Sequence, residues 1–345
     1  MRRALELAAR GPAVDPNPRV GCVLLDADGR TLGEGWHRGA GTPHAEVAAL
    51  TAALADAGEL PPGTTAVVTL EPCNHTGRTG PCSQALLDAG VSRVVIAQPD
   101  PTPLAAGGAE HLRAVGVEVV TGVMEREATA LNEWFTASAR LGRPVVTLKL
   151  ASTLDGRVAA ADGTSRWITG EQARLDVHRQ RATAGAVVVG TGTALADDPQ
   201  LTVRLPEGDP ALALLHVAEG APARQPLRVV VGTRELPASA RLLDDVAETL
   251  LLPTHDPAEV LTTLGGRGIH HAWLEGGPTL AAAFLRAGLV DRLVHHLAPA
   301  LLGSGAPLTG DLGIGTIAGL DRWRLDDVTR LGDDLRLTLT PEGAA

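Results

Sequence analysis

Short β-branched runs alternate with Ala- and Leu-rich segments along most of this chain, and that alternation is the strongest constraint on its fold. In the first half VGCVLLDA, TAVVTL and SRVVIAQ are bounded by Gly, Pro or Asp and read as buried strands. Between them AEVAALTAALADAG and SQALLDAG read as helices that stop at Gly58 and Gly90, since a helix end favours glycine. EHLRAVGVEVVTGV repeats helix, glycine, strand, and EREATALNEWFTASARLGRP reads as one closing helix ended near Pro144. Beyond it PVVTLKLAST, GAVVVGT, LRVVVGT, ETLLLP and HHAWLEGG are further strand candidates, separated by segments such as the helical EQARLDVHRQRATAG. Strands alternating with helices imply α/β layers. A chain of 345 residues exceeds the usual single domain, so two α/β domains are expected, 1–142 and 143–345. No fixed-period repeat supports a solenoid.

Composition narrows the partners. A formal charge of -10 with few aromatic side chains argues against nucleic acid, which needs a basic surface and stacking platforms. Local arginines can still hold a phosphate on an acidic protein. Glu6 and Arg10 interrupt the apolar stretch at the start, and no run reaches membrane-spanning length, so a cytoplasmic protein without a membrane partner is expected. Cys22, Cys73 and Cys82 are too sparse for a secreted disulfide framework. A homo-oligomer, dimer or tetramer, is also expected.

The chemistry concentrates in two stretches of the first half. TLEPCNHTGRTGPC places Cys73 and Cys82 in a polar, glycine-rich loop, compatible with a redox pair, a structural zinc knuckle or part of a catalytic metal site. In TPHAE, Thr42 is placed as a helix cap and Pro43 at the first helical position, so that His44 and Glu46 fall in the first turn. One imidazole and two thiolates would hold zinc and leave its fourth position open, as catalytic sites do. Glu46 is then available to take a proton from water and return it to a leaving amine. Cys22, inside an apolar run, reads as a small buried hydrophobe.

HAE with EPC and the later PC resembles the zinc-dependent nucleobase deaminases. Eight residues separate the cysteines instead of the usual two, and the CNHTGRTGPC loop is similar to that of the riboflavin-biosynthesis deaminases. The resemblance implies zinc on His44, Cys73 and Cys82, catalysis by Glu46, and substrate contacts from Asn17 in DPNPRVGCVLL, His37 in GWHRGAG, and His75 and Arg78 in the cysteine loop. Arg78 also has a physical rationale, because guanidinium binds phosphate well.

In the second half KLAST, SRWIT, LADDPQLTVR and LEGGPTL resemble the reductase portion of the bifunctional riboflavin-biosynthesis deaminase/reductases, so the resemblance covers nearly the whole chain. It implies a cytidine-deaminase-like three-layer α/β domain followed by a dihydrofolate-reductase-like α/β domain using NADPH. It places Ala151, Trp167, Thr193, Asp197, Thr233, Gly277, Pro278 and Thr279 on NADPH, and Lys149, Ser165, Leu201, Arg204 and Glu275 on substrate. The implied substrate is a pyrimidine ribotide, 2,5-diamino-6-ribosylamino-4(3H)-pyrimidinone 5′-phosphate, deaminated and then reduced to the ribityl product. Read from residues alone, GTGTAL lacks the third glycine of a dinucleotide fingerprint, Leu195 standing there. Gly276 and Gly277 directly before a helical run would aim backbone N–H groups at a phosphate. Lys149, in an apolar strand, needs either a substrate-facing role or an ion pair with an aspartate such as Asp155.

Overall fold

The computed structural model describes residues 1–75, 80–103, 105–216 and 223–343. Contacts divide the chain into two compact units, one built on Met1–Gly142 and the other on Arg143–Leu215 with Arg224–Ala345.

The first unit runs α1 Arg2–Ala8, β1 Gly21–Leu25, β2 Thr31–Trp36, α2 Ala45–Ala57, β3 Thr65–Leu70, α3 Cys82–Asp88, β4 Arg93–Gln98, α4 Gly108–Ala114, β5 Glu118–Val120, α5 Glu125–Leu131 and α6 Glu133–Leu141. Its sheet has the order β2-β1-β3-β4-β5, with β1 antiparallel to both neighbours and β3, β4 and β5 parallel. Cys22, Val68 and Val94 are buried in this core, as an apolar reading of Cys22 requires.

Strand β2 did not stand out in the sequence, because TLGEGW carries two glycines and no β-branched run. The glycines have a packing reason: a Cβ on Gly33 would lie 2.4 Å from the Ala49 carbonyl, and one on Gly35 2.3 Å from that of Ala45. The alanines of α2 at 45, 49 and 53, one per turn, thus lie directly on bare strand backbone. The single closing helix expected over 125–141 is two helices. Asn132 sits between them because its side-chain oxygen accepts from the Arg19 N–H (2.8 Å) and its amide donates to the Arg19 carbonyl (2.9 Å), tying the break to the lead into β1.

The second unit contains β6 Val145–Thr153, β7 Arg157–Ala159, α7 Glu171–Ala182, β8 Ala186–Gly190, α8 Thr191–Asp197, β9 Leu227–Val231, β10 Thr249–Leu252, α9 Pro257–Gly266, β11 His271–Leu274, α10 Pro278–Arg286, β12 Arg292–Ala298, β13 Ala306–Pro307, β14 Trp323–Leu331 and β15 Asp334–Pro341. Eight strands form one sheet, β10-β9-β8-β11-β6-β12-β15-β14, parallel from β10 to β12 and closed by antiparallel β15 and β14. One face buries Val146, Leu148, Val188 and Leu274 with residues of α9 and α10, and the other buries Val187, Val189, Trp273 and Val294.

Helix α7 has little apolar face, and it docks through charge. Its Asp176 accepts from His296 of β12 and Arg336 of β15, both at 2.8 Å, and its Arg181 meets Glu275 beyond β11. Buried charges of this kind need such partners. Chain order reverses direction between β8 and β11, so the connections after these strands run opposite ways and mark a topological switch point at the carboxyl end of the sheet, where open α/β sheets bind ligands. No helix among the described residues is long and apolar enough to cross a membrane.

Candidate functional site

In the first unit His44, Cys73 and Cys82 converge, their ligand atoms all within 4.8 Å of one another. His44 is the N-cap of α2 rather than a first-turn residue, so the helix begins two residues later than the sequence suggests. Thr42 does not cap it; its hydroxyl donates to the Gly39 carbonyl at 2.7 Å. Cys73 follows β3 through Glu71 and Pro72, and Cys82 opens α3. His44 Nδ1 lies 3.2 Å from Cys82 Sγ and 3.7 Å from Cys73 Sγ. Tetrahedral zinc with ordinary Zn–N and Zn–S bonds would place such ligands ~3.6 Å apart, so the donor set fits the metal in both chemistry and spacing.

Without the metal's charge, the Cys82 thiol donates to Cys73 and holds its thiol down to about 4, while the same bond and burial push Cys82 up. The bond to Cys73 raises His44. Zinc binds both sulfurs as thiolates, so its binding would release protons from this pair.

Glu46 is 4% exposed, and burial pushes its carboxyl up to about 7, where a group passes a proton both ways at neutral pH. With His44 and Cys73 it lines a cavity of ≈ 280 Å³ that Asn17, His37 and His75 also face. The roles of the Asn17–His37 pair follow from geometry. His37 Nδ1 lies 3.2 Å from the Pro43 carbonyl, an acceptor only, so Nδ1 carries the proton. Nε2 must then accept from the Asn17 amide at 3.2 Å, which leaves the Asn17 side-chain carbonyl to receive a donor from the cavity. Burial lowers His37, consistent with a neutral ring. The His37 ring also packs edge-on against that of His44, with centroids 5.7 Å apart. His75 presents a buried Nδ1 with no hydrogen-bond partner among the described residues. Arg78 lies outside the described residues.

Several residues of this site escaped the sequence reading. Glu71, quoted in EPC, accepts from the backbone N–H groups of Asp100, Gly107 and Ala109, and so ties the loops beside Cys73 together. Gly108 is required where α4 abuts that loop, since a Cβ there would meet the Pro72 carbonyl at 1.9 Å. Asp100, Thr102 and Phe135 complete the wall. Glu71 precedes a ligand, which was a usable signal; Asp100 and Phe135 carried none.

In the second unit most of the residues expected on NADPH and substrate gather at the carboxyl end of the sheet. Lys149 lies midway along β6, one residue past the level where β11 ends, with Ala151 two residues on; Thr193 and Asp197 lie on α8, Thr233 two residues after β9, and Gly277, Pro278 and Thr279 at the start of α10. The Gly277 N–H donates to Thr193 Oγ1 at 3.1 Å, joining the β8 and β11 loops, and a Cβ on Gly276 would meet Leu280 at 2.8 Å. This bare glycine backbone at the strand ends, with no side chain capping α10, fits a dinucleotide phosphate. Trp167 is 70% exposed, with Arg174 4.6 Å from its ring centroid, and Ser165 lies half-buried two residues before it.

Glu275 is engaged from two sides: Arg181 Nε and Nη2 reach its oxygens at 2.5 and 2.8 Å, and Trp273 Nε1 donates at 2.7 Å. Burial would raise this carboxyl, but Arg181 outweighs it and holds Glu275 at about 2. Lys149 makes no hydrogen bond or ion pair with Asp155, which instead accepts from Thr153 and the Leu302 and Gly303 N–H groups. Burial lowers Lys149, against the pull of Glu275 and Asp197.

Leu201 adopts a left-handed backbone (φ 53°) and is buried, its side chain packing with Val187 and Trp273. The next residues return Thr202 and Arg204 to the site: the Thr202 carbonyl accepts from Arg181 at 3.1 Å and its hydroxyl from Arg204 at 2.8 Å. Burial and the charges of Arg181 and Arg204 depress His178 to about 4. With Glu275 already neutralised, the surplus there is positive, as a phosphate site requires. Arg181 is the main residue missed here; its place inside a polar helix gave no sign that it pointed inward.

Comparison with known proteins agrees with these two sites. Residues 1–98 match the cytidine and deoxycytidylate deaminase zinc-binding region, and residues 144–337 match the RibD C-terminal domain. The riboflavin biosynthesis protein RibD of Mycobacterium tuberculosis is 48% identical over 326 residues, covering 94% of this chain and 91% of that protein. RibD of Escherichia coli is 43% identical over 370 residues, covering 98% of each. Acinetobacter baumannii RibD superposes with a TM-score of 0.82 at 40% identity, over 99% of this chain and 97% of that one. A Thermotoga maritima diaminohydroxyphosphoribosylaminopyrimidine deaminase/5-amino-6-(5-phosphoribosylamino)uracil reductase gives a TM-score of 0.80 at 33% identity with the same coverage. A zinc-site family and a reductase family in tandem, with relatives matched nearly end to end, leave one assignment: the chain belongs to the RibD family, the bifunctional deaminase/reductases of riboflavin biosynthesis that use zinc and NADPH.

Proposed function

We propose that the deaminase domain is 1–142 and acts on the diaminopyrimidine ribotide, and that the reductase domain is 143–345 and reduces the product to 5-amino-6-ribitylamino-uracil 5′-phosphate. The observation that carries this reading is the convergence of His44, Cys73 and Cys82 beside a buried carboxylate in a cavity already supplied with an oriented amide. Zinc on these ligands supplies Lewis acidity that makes water nucleophilic at neutral pH. Asn17 receives a ring or amino N–H on its carbonyl, with His37 fixing the amide's orientation, and His75 offers a further contact. Glu46 accepts the proton of the attacking water and passes it to the amine. A C–O bond forms, the C–N bond breaks, ammonia leaves, and the amino-bearing carbon becomes a carbonyl.

In the second step bound NADPH would supply the hydride that reduces C1′ of the opened ribosylamine, with a proton needed to complete the ribityl product. Ala151, Trp167, Thr193, Asp197, Thr233 and Gly277 to Thr279 bind the cofactor in this reading. Lys149, Ser165, Glu275 and the backbone at Leu201 position the pyrimidine ribotide, while Arg204, held by the Thr202 hydroxyl, takes its phosphate.

The same reading includes a cytoplasmic homo-oligomer with no nucleic-acid or membrane partner. An edge-strand face that carries Leu325 and Val328, 53% and 51% exposed, supports contact between copies, and light scattering would test it. The enzymatic test is incubation with substrate, zinc and NADPH, following ammonia and NADPH separately. Absence of both activities would sink the proposal. Glu46→Gln should retain zinc and lose ammonia release by about 10²- to 10⁴-fold.

A further inference from the structure

The β9 loop carries a cation that none of these roles uses. Gly232, the first residue after β9, has φ +129°, and a Cβ there would meet Thr191 Oγ1 at 2.6 Å. Because Gly190 pairs with Val231, Thr191 and Gly232 stand level at the ends of neighbouring strands, and this tight turn aims Thr233 and Arg234 back toward β8. The Arg234 guanidinium comes to rest against Gly192, its Nη2 3.0 Å from where a Cβ would stand. Arg234 is exposed and has no carboxylate or hydrogen-bond partner among the described residues. An arginine laid over bare backbone with no anion beside it suits an anion brought by a ligand.

The position identifies that anion, on the cofactor placement proposed above. Lys149 and Glu275 set the reacting end of the site over β6 and β11. The pyrophosphate then crosses where Gly277 meets Thr193, between β11 and β8. A dinucleotide continuing in that direction lays its adenosine over the ends of β8 and β9, where Thr233 and Arg234 stand. NADPH differs from NADH only by the 2′-phosphate on that adenosine ribose, and an arginine beyond the neighbouring strand is how such sheets accommodate it. We propose that Arg234 reads the 2′-phosphate of NADPH and thereby sets the preference for NADPH over NADH.

The test uses the full-length enzyme and the deaminated substrate. Arg234→Gln lowers kcat/KM for NADPH by about 10- to 100-fold, the worth of charge-assisted hydrogen bonds, and lowers that for NADH less than about threefold. Calorimetry supplies a readout independent of turnover: affinity for 2′,5′-ADP falls by the same factor while that for 5′-ADP holds, and Arg234→Lys recovers part of both losses. Equal losses with NADPH and NADH, or an unchanged affinity for 2′,5′-ADP, overturn the role of Arg234. Failure of the wild-type enzyme to bind either nucleotide would instead overturn the cofactor placement on which it rests.

Discussion

Replacing Gly35 by alanine tests how closely deaminase catalysis depends on the seat of α2. The backbone at Gly35 is not left-handed, so alanine suffers no conformational strain and the perturbation is steric alone. Its Cβ would lie 2.3 Å from the Ala45 carbonyl and 2.4 Å from the Ala49 N–H nitrogen, against 3.4 Å for ordinary contact. Both neighbours are helix backbone, which cannot rotate aside as a side chain would. The first turn of α2 must therefore move by about 1 Å, a typical overpacking cost being ~1–3 kcal/mol.

Ala45 stands between His44 and Glu46, so this movement is delivered to a proposed zinc ligand and the proposed proton carrier together. A misplacement of that size costs roughly 10²-fold in rate. Ammonia release should fall by about that factor, while NADPH oxidation with deaminated substrate stays near wild type, because the second unit has its own core. Gly33→Ala is the matched control. It meets Ala49 and Ala53, a turn further from His44, and should destabilise comparably with a smaller loss of deamination. If Gly35→Ala deaminates within about threefold of wild type while folded, the site tolerates displacement of α2 and the reasoning fails.

Three further outcomes follow from named contacts. Chelation should abolish ammonia release and spare NADPH oxidation; joint loss would mean that the metal also supports the second unit. Asn17→Ala should lower kcat/KM for deamination by about tenfold, mainly through KM, and an unchanged KM would remove Asn17 from substrate binding. Arg181→Met leaves Glu275 buried without its charge partner and should cost ~3–5 kcal/mol of stability at neutral pH, read from urea unfolding of the second unit. In the wild type Glu275 is depressed to about 2 from an ordinary value near ~4.3, so its stabilisation is complete above the ordinary value and lost as pH falls toward 2. The variant should lose that acid dependence; a wild-type slope retained in the variant would assign it to another carboxylate.

Legibility in the sequence tracked how local the cause of each feature is. β3, β8 and β9 were readable because strands buried on both faces must be β-branched throughout, and a seven-residue window displays that. β2 was not, since its glycines answer to a helix ten residues later. β12, β14 and β15 were not either: RLVHHLA and WRLDDVTRL mix charge with leucine, because one face meets the polar α7 and the edge is exposed. His44, Cys73 and Cys82 stood out since few other residue types bind zinc.

The same principle separates the ligands of a site from the groups that hold them. Imidazole, thiolate and carboxylate have distinctive chemistry wherever they occur, but Glu71 acts through backbone N–H groups 29 to 38 residues away, and Asp176 reaches His296 across 120. Any residue can supply a backbone N–H, so such a contact leaves no mark at its far end. Arg181 is the sharpest case. On a polar helix it looked like a solvated charge, yet its salt bridge fixes Glu275 and its other hydrogen bond brings in the irregular segment that carries Arg204. A polar helix whose charges match charges on distant strands is therefore a docking element, and in this chain it docks at the proposed substrate phosphate.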